Sequence, residues 1–310
     1  MKKTSNALYK GPSPHLGQGA ILLCAILWST SGLFIRLVDC HPMVIAGSRS
    51  FFAVLFLLAL RLFFPFRKNV SNSKAVILKT LIKDAPILGA YGLGYASSMI
   101  LFVIANKLTA SANAIMLQYT APVWAALLGW IFLRERPGLE HFVSMALVGL
   151  GMFFVFRGGL AAGSLLGDIL ALASGVLFAA NPVLLRARED KNPADIMLFS
   201  HITCALISAP FFFLYPPDPT AKYFLSVIYM GIFQLGMASG LFAYGIKRIS
   251  AVQAMLTATI EPVLNPVWVL LALGEKPALS VIVGGGIIII AVIFSSIFSK
   301  INSQYAHRSG

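Results

Sequence analysis

The chain has 310 residues, of which 58% are hydrophobic and 11% charged, with a formal net charge of +13 and a mean hydropathy of +0.84. Soluble domains carry about 25% charged residues, so a chain this apolar has lipid as the solvent for most of its surface. The excess of 24 Lys+Arg over 11 Asp+Glu gathers at the ends of apolar runs and follows no nucleic-acid-binding signature, so no nucleic acid partner is expected.

A helix needs about 20 apolar residues to cross the hydrocarbon core. Ten runs approach that length, at 17–38, 42–64, 85–105, 111–133, 139–156, 166–186, 194–215, 223–246, 250–273 and 279–299. The predicted fold is therefore an all-α integral membrane protein of ten transmembrane helices. The connections are short and rich in Gly, Pro, Asn and charge, as at 66–83 and 216–222, and hold no soluble domain. The basic segment 1–10 followed by the apolar stretch 20–28 has the look of a signal peptide. That run continues past Trp28 without a small-residue cleavage site, so it is read as a retained first span. Cys24, Cys40 and Cys204 show neither metal spacing nor a disulfide framework and are read as packing residues.

Orientation follows from where Lys and Arg fall. With the N-terminus inside, 18 of them lie on the inner side and 5 on the outer, with Arg49 inside the second helix. The positive-inside rule then places both termini in the cytoplasm, with the chain multi-pass in the plasma (inner) membrane.

The ends of the two halves match without gaps at an offset of 140 residues: Pro122-Val123 with Pro262-Val263, Glu135 with Glu275, Pro137 with Pro277, Leu139 with Leu279. The starts match more weakly at an offset of 150, as Leu16-Gly17 with Leu166-Gly167 and Arg36 with Arg186. Five crossings is an odd number, so the second copy enters from the opposite side, and two inverted five-helix repeats are expected at 17–157 and 164–299 between cytoplasmic tails 1–16 and 300–310. Inverted repeats are typical of secondary transporters, with the substrate near the midplane.

A proline in the fourth helix of each half, followed by Leu133-Arg134-Glu135-Arg136-Pro137 and Leu273-Gly274-Glu275-Lys276-Pro277, resembles the EamA-like transporters of the drug/metabolite transporter superfamily. The resemblance covers residues 17–299 and implies a ten-helix fold, a central cavity and no nucleotide hydrolysis. Relatives export amino acids and other metabolites or import compounds such as choline, and a substrate does not transfer with a fold.

A charge at the bilayer centre costs about 2.5–3.5 kcal/mol on insertion scales, so it persists where a cavity or partner repays it. Glu261 sits about mid-depth in the ninth helix, directly before Pro262, which frees a backbone carbonyl. It is read as lining the cavity, against a structural acid paired to a basic residue. Arg49 either holds a substrate carboxylate or pairs with Glu261, with snorkelling to the outer interface or capping a neighbouring helix as the favoured alternative. Gln118 and Tyr119 before Pro122, Asn181-Pro182 and Asn265-Pro266 read as polar positions in helices interrupted at mid-depth, or as bonds to neighbouring helices. The aromatics Trp28, Tyr91, Tyr95, Phe102, Trp124, Phe178, Phe199 and Tyr244 fall at interior depths and suit cation–π contact or packing. His201 is a candidate titrating group against a buried neutral one. Glu135 and Glu275 are read as closing helix corners, and Gly236–Gly240 and Gly284–Gly286 as allowing close helix approach.

These residues point to secondary transport of a small metabolite, an amino acid or organic amine, by alternating access, with its amino group at Glu261. With no GxxxxGK[ST] motif, coupling falls to protons or to the substrate's own gradient. A uniporter or channel-like facilitator is the alternative, and a membrane-embedded enzyme a more distant one because the five His are scattered. No cofactor or metal is expected, and the chain acts as a monomer or homodimer.

Overall fold

The structure, a computed structural model, describes residues 14–30, 34, 38–63, 88–89, 91–102, 104–105, 108–109, 111–157, 164–187, 193–274 and 278–308. Among them every regular element is a helix, as lipid demands of any open chain: only a helix satisfies its own backbone groups where no water reaches. In chain order these are α1 (Pro14–Ser29), α2 (Pro42–Phe63), α3 (91–102), α4 (Ser111–Gln118), α5 (Ala121–Leu128, continued by a π-helical turn Gly129–Leu133), α6 (Leu139–Phe156), α7 (Leu165–Ala187) and α8 (Pro193–Leu214). There follow α9 (Ala221–Tyr229), a π-helical segment Met230–Met237, α10 (Ala238–Ile246), α11 (Ala251–Ala258), α12 (Ile260–Leu273) and α13 (Leu279–Arg308).

Seven helical stretches among the described residues are long and apolar enough to cross a membrane: Pro42–Phe63, Asn113–Leu133, Leu139–Phe156, Leu165–Ala187, Pro193–Leu214, Ala221–Ile246 and Leu279–Phe298. Pro14–Ser29 and Ala251–Leu264 are shorter apolar helices. Side chains such as Leu62, Phe63, Phe213 and Leu225 stand fully outward on these helices, where lipid is their natural solvent and water would make them aggregate.

α1 is followed by a turn at Thr30, and residues 31–33 and 35–37 of the expected first span lie outside the described residues. At the turn the Ser29 and Thr30 hydroxyls each donate to the carbonyl three residues back, Ile26 and Leu27, both at 2.7 Å, competing with the helical ladder. The fourth and ninth expected spans each divide in two, at Thr120 and at Thr259.

Packing is pairwise. α2 lies on α8 and α6 on α13, while α1 packs against α10, α11 and α12, and α7 against α4 and α5. In lipid the association rests on van der Waals contact and polar glue, so small residues mark the crossings. A Cβ on Gly151 would meet the Gly284 carbonyl at 2.8 Å, and one on Gly245 would meet the Gly17 carbonyl at 2.8 Å. Of the expected glycine contacts, Gly236 presses on Phe56 while Gly240 and Gly286 face open space. The glue joins α3, α4 and α7: the Ser98 and Ser174 hydroxyls donate to each other's backbone carbonyls at 3.0 and 2.9 Å, and Gln118 Nε2 donates to the Ser174 hydroxyl at 3.0 Å.

Candidate functional site

The two breaks are built alike. At Thr120 and at Thr259 the backbone takes φ and ψ of −70° and −5°, and −65° and −4°, and both the amide and the side-chain hydroxyl bond the carbonyl three residues back. The hydroxyl bonds are 2.6 Å each, to Leu117 and Leu256. Pro122 and Pro262 follow within three residues, in the first turn of the new helix, where a missing N–H costs nothing. Each broken helix then closes on a left-handed residue, Arg134 at φ 57° and Gly274 at φ 72°, at the same offset of 140 that relates the two motifs.

Because of the second break, Glu261 belongs to the first turn of α12. The free amides of a helix start favour an anion there. Glu261 is partly buried, and Tyr119 of the first broken helix is its neighbour. Thus the carboxylate of the second half meets the tip of α4 from the first, where α5 and α11 also touch. An apolar groove of about 140 Å³ opens beside the first break, lined by Tyr119, Thr120 and Pro122 with Met145, Val148 and Met152 of α6.

Arg49 turns inward rather than snorkelling outward. Its Nη1 donates to Gln234 Oε1 at 3.5 Å and its Nη2 to Met99 Sδ at 3.8 Å. Gln234 is 2% exposed and anchored by its own Nε2, which donates to the Trp28 carbonyl at 3.2 Å. It lies on the π-helical segment between α9 and α10, whose Gly231 admits the α2 backbone: a Cβ there would meet the Arg49 carbonyl at 2.8 Å. Buried Tyr95 of α3 has both Arg49 and Glu261 as charged neighbours and lies edge-on to His201, 5.4 Å between ring centroids. His201 Nε2 pairs with the Ser239 hydroxyl at 2.8 Å. Glu261 of α12, Tyr119 at the end of α4, Tyr95 of α3, Arg49 of α2 and His201 of α8 therefore form one cluster.

Other expected positions are spent on structure. Gln118 is taken by Ser174, and Asn181 donates to its own helix at the Leu177 carbonyl, 3.2 Å. Helix α7 runs unbroken through Pro182, and α12 runs unbroken through position 266, so neither proline interrupts its helix. The side chains of Asn265 and Pro266 lie outside the described residues, as does Glu275. Trp124 Nε1 donates to the Thr120 hydroxyl at 3.0 Å and braces the first break. Trp28 packs on Phe242 and Phe178, and Tyr244 sits beneath the Arg248 guanidinium at a helix end, 3.4 Å from ring centre to carbon. Glu135 pairs across the halves with Arg186, whose Nη1 also caps the Ile246 and Ile249 carbonyls at 2.9 and 2.5 Å, so the motif carboxylate clasps two halves together instead of closing its own corner.

Sequence reasoning passed over Thr120, Thr259 and Gln234. The signal was present for Gln234, an amide within an apolar run between Gly231 and Gly236. Among the described residues no group of His, Cys, Asp and Glu is arranged to hold a metal ion.

A family model described as the EamA-like transporter family matches the chain twice, over residues 15–157 and 165–297. An uncharacterized transporter of Archaeoglobus fulgidus is 24% identical, over 90% of this chain and 96% of its own. The uncharacterized transporter YdfC of Bacillus subtilis is 25% identical over 72% and 74%. Human solute carrier family 35 member G1 is 24% identical over 73% of this chain and 64% of its own. One solved crystal structure superposes with a TM-score of 0.80 at 19% identity, over 93% of this chain and all of that one, a likeness of fold.

Proposed function

We propose, from the premise that this chain belongs to the EamA-like transporter family and is a multi-pass membrane transporter, that it moves a small amine-bearing metabolite by alternating access about Glu261. The carrying observation is the placement of that carboxylate. It stands at a helix start created by a mid-chain break, opposed by Tyr119 from the matching break of the other half. A membrane protein holds a carboxylate there at a cost of about 2.5–3.5 kcal/mol, and an ammonium or a proton is the species that offsets it.

The inverted-repeat reading, 17–157 against 164–299, is supported by the packing. Helices expected to correspond meet each other, α2 on α8 and α6 on α13, while α1 on α11–α12 mirrors α7 on α4–α5. The twin left-handed ends recur at the repeat offset of 140, and the twin breaks fall within one residue of it. Two such halves rock about a shared central site. The clasp of Glu135 and Arg186 sits at the helix ends on the lysine- and arginine-rich side, which the positive-inside rule makes cytoplasmic, with both termini and an inner-membrane location.

Proton coupling follows if amine and proton compete for Glu261, which yields antiport without a separate proton site. Reconstitution in liposomes tests both parts. A pH gradient imposed at clamped membrane potential should drive substrate accumulation, and Glu261→Gln should abolish it. Accumulation that ignores the pH gradient makes the protein a uniporter, and wild-type flux in Glu261→Gln removes the carboxylate from the transport step.

A further inference from the structure

A groove of about 270 Å³, separate from the one beside the first break, lies between α1, α11 and α13. α1 lines it with Gln18, Gly19 and Leu22, and α13 with Ile293, Ser296 and Ile297. It faces outward from the bundle, since Leu22, Ile293 and Ile297 are all exposed. Its polar side chains bond one another or their own helix. Gln18 Nε2 donates to the Ser296 hydroxyl, which donates to the Val292 carbonyl at 2.7 Å. The Thr257 hydroxyl of α11, also on its wall, donates to the Gln253 carbonyl at 2.8 Å. A polar solute gains little from such walls, whereas a hydrocarbon chain covers apolar surface there.

Charge of one sign gathers at one end of the groove. His15 stands at that end, in the first turn of α1. α13 continues beyond it as a helix to Arg308. Lys300 follows Ile293 by about two helical turns and Arg308 follows Ile297 by about three, so both positions keep the register of the face that lines the groove. Lys2, Lys3 and Lys10 precede α1 in the sequence, and no acidic residue stands before Asp39 or after Glu275. An apolar trough that ends in unopposed positive charge matches a molecule with a hydrocarbon chain and an anionic head.

We propose that this groove binds one anionic phospholipid, its acyl chain along Leu22, Ile293 and Ile297 and its headgroup at the end marked by His15, Lys300 and Arg308. Basic residues just beyond a membrane-spanning helix favour anionic lipid by about fivefold in affinity each. By the orientation proposed above, the lipid comes from the cytoplasmic leaflet. α1 belongs to the first half of the chain and α11 and α13 to the second, and Thr257 is close before the break at Thr259. The bound lipid therefore bridges the halves beside the second broken helix. This site is independent of the reading of Glu261.

Native mass spectrometry of the full chain in detergent, titrated with dioleoylphosphatidylglycerol or dioleoylphosphatidylcholine, tests it. The wild type should retain one phosphatidylglycerol about tenfold to thirtyfold more tightly than phosphatidylcholine, the contribution of two basic residues. Gly19→Phe sets a ring into the groove, at a position where a Cβ meets nothing within 4 Å, and should weaken both lipids about tenfold. Lys300→Gln together with Arg308→Gln should leave phosphatidylcholine unchanged and bring the two lipids within about twofold of each other. Leu206→Phe, on the exposed face of α8, should bind as the wild type does. Melting curves and size-exclusion profiles establish that each variant is folded. Equal retention of the two lipids by the wild type overturns the proposal. So does undiminished lipid binding in folded Gly19→Phe, or a preference for phosphatidylglycerol that survives the loss of Lys300 and Arg308. A dimer of the chain that holds no lipid and dissociates in Gly19→Phe overturns it too, and makes the groove an interface between copies.

Discussion

The broken helix of the first half, α4–α5, and that of the second, α11–α12, share a scaffold and differ in cargo. Both turn at a threonine whose hydroxyl satisfies the carbonyl three residues back, and both end in a left-handed residue. The first then presents Ala121-Pro122, buried and uncharged, with Trp124 bracing the threonine. The second presents Glu261-Pro262, with the carboxylate turned toward Tyr119 of the first. The helix break thus occurs twice and the charge once. A binding site between two like halves becomes directional only where their side chains diverge.

That contrast is broken most severely at the charge. Glu261→Gln keeps shape, so membrane insertion and melting temperature should stay near the wild type while flux in proteoliposomes drops about tenfold or more, the loss of one charge-assisted contact. The next largest effect is expected at the clasp that joins the halves. Arg186→Ala leaves Glu135 and two carbonyls without their partner. It should cost about 2 kcal/mol of stability, discounted for the partial exposure of the pair, and show as a lower melting temperature in detergent. Glu135→Gln, which spares the carbonyl bonds, should cost less.

The two threonines separate more finely. Thr259→Val removes one hydroxyl bond and should cost about 1 kcal/mol. Thr120→Val should cost more, because it also strips the acceptor of Trp124 Nε1. Equal losses at the two positions would mean that the tryptophan brace contributes nothing. The smallest difference lies at the helix ends. Gly274→Ala places a Cβ at φ 72° and should destabilise by about 1 kcal/mol. Arg134→Gly should fall within about 0.5 kcal/mol of the wild type, because relief of the left-handed strain offsets the entropy a glycine gains in the unfolded chain.

Much of this was legible without coordinates. Apolar runs record the solvation of each helix separately, so the spans, the charge bias and the 140-residue echo of Pro122 and Glu135 in Pro262 and Glu275 stand in the chain itself. Glu261 stood out because a carboxylate in a lipid-spanning run persists only where a cavity or a partner repays its cost. The assignment of the remaining polar residues was tertiary. Gln118 and Asn181 look as functional as Tyr119 in sequence, yet Gln118 is taken by Ser174 and Asn181 by its own helix. Arg49 looks like a snorkelling residue from its depth alone, and turns inward because Gly231 brings α2 against the segment carrying Gln234, 185 residues away. A polar side chain in a membrane must find a partner, and its sequence states that need. Which of the available partners it meets is decided by how closely the backbones pack.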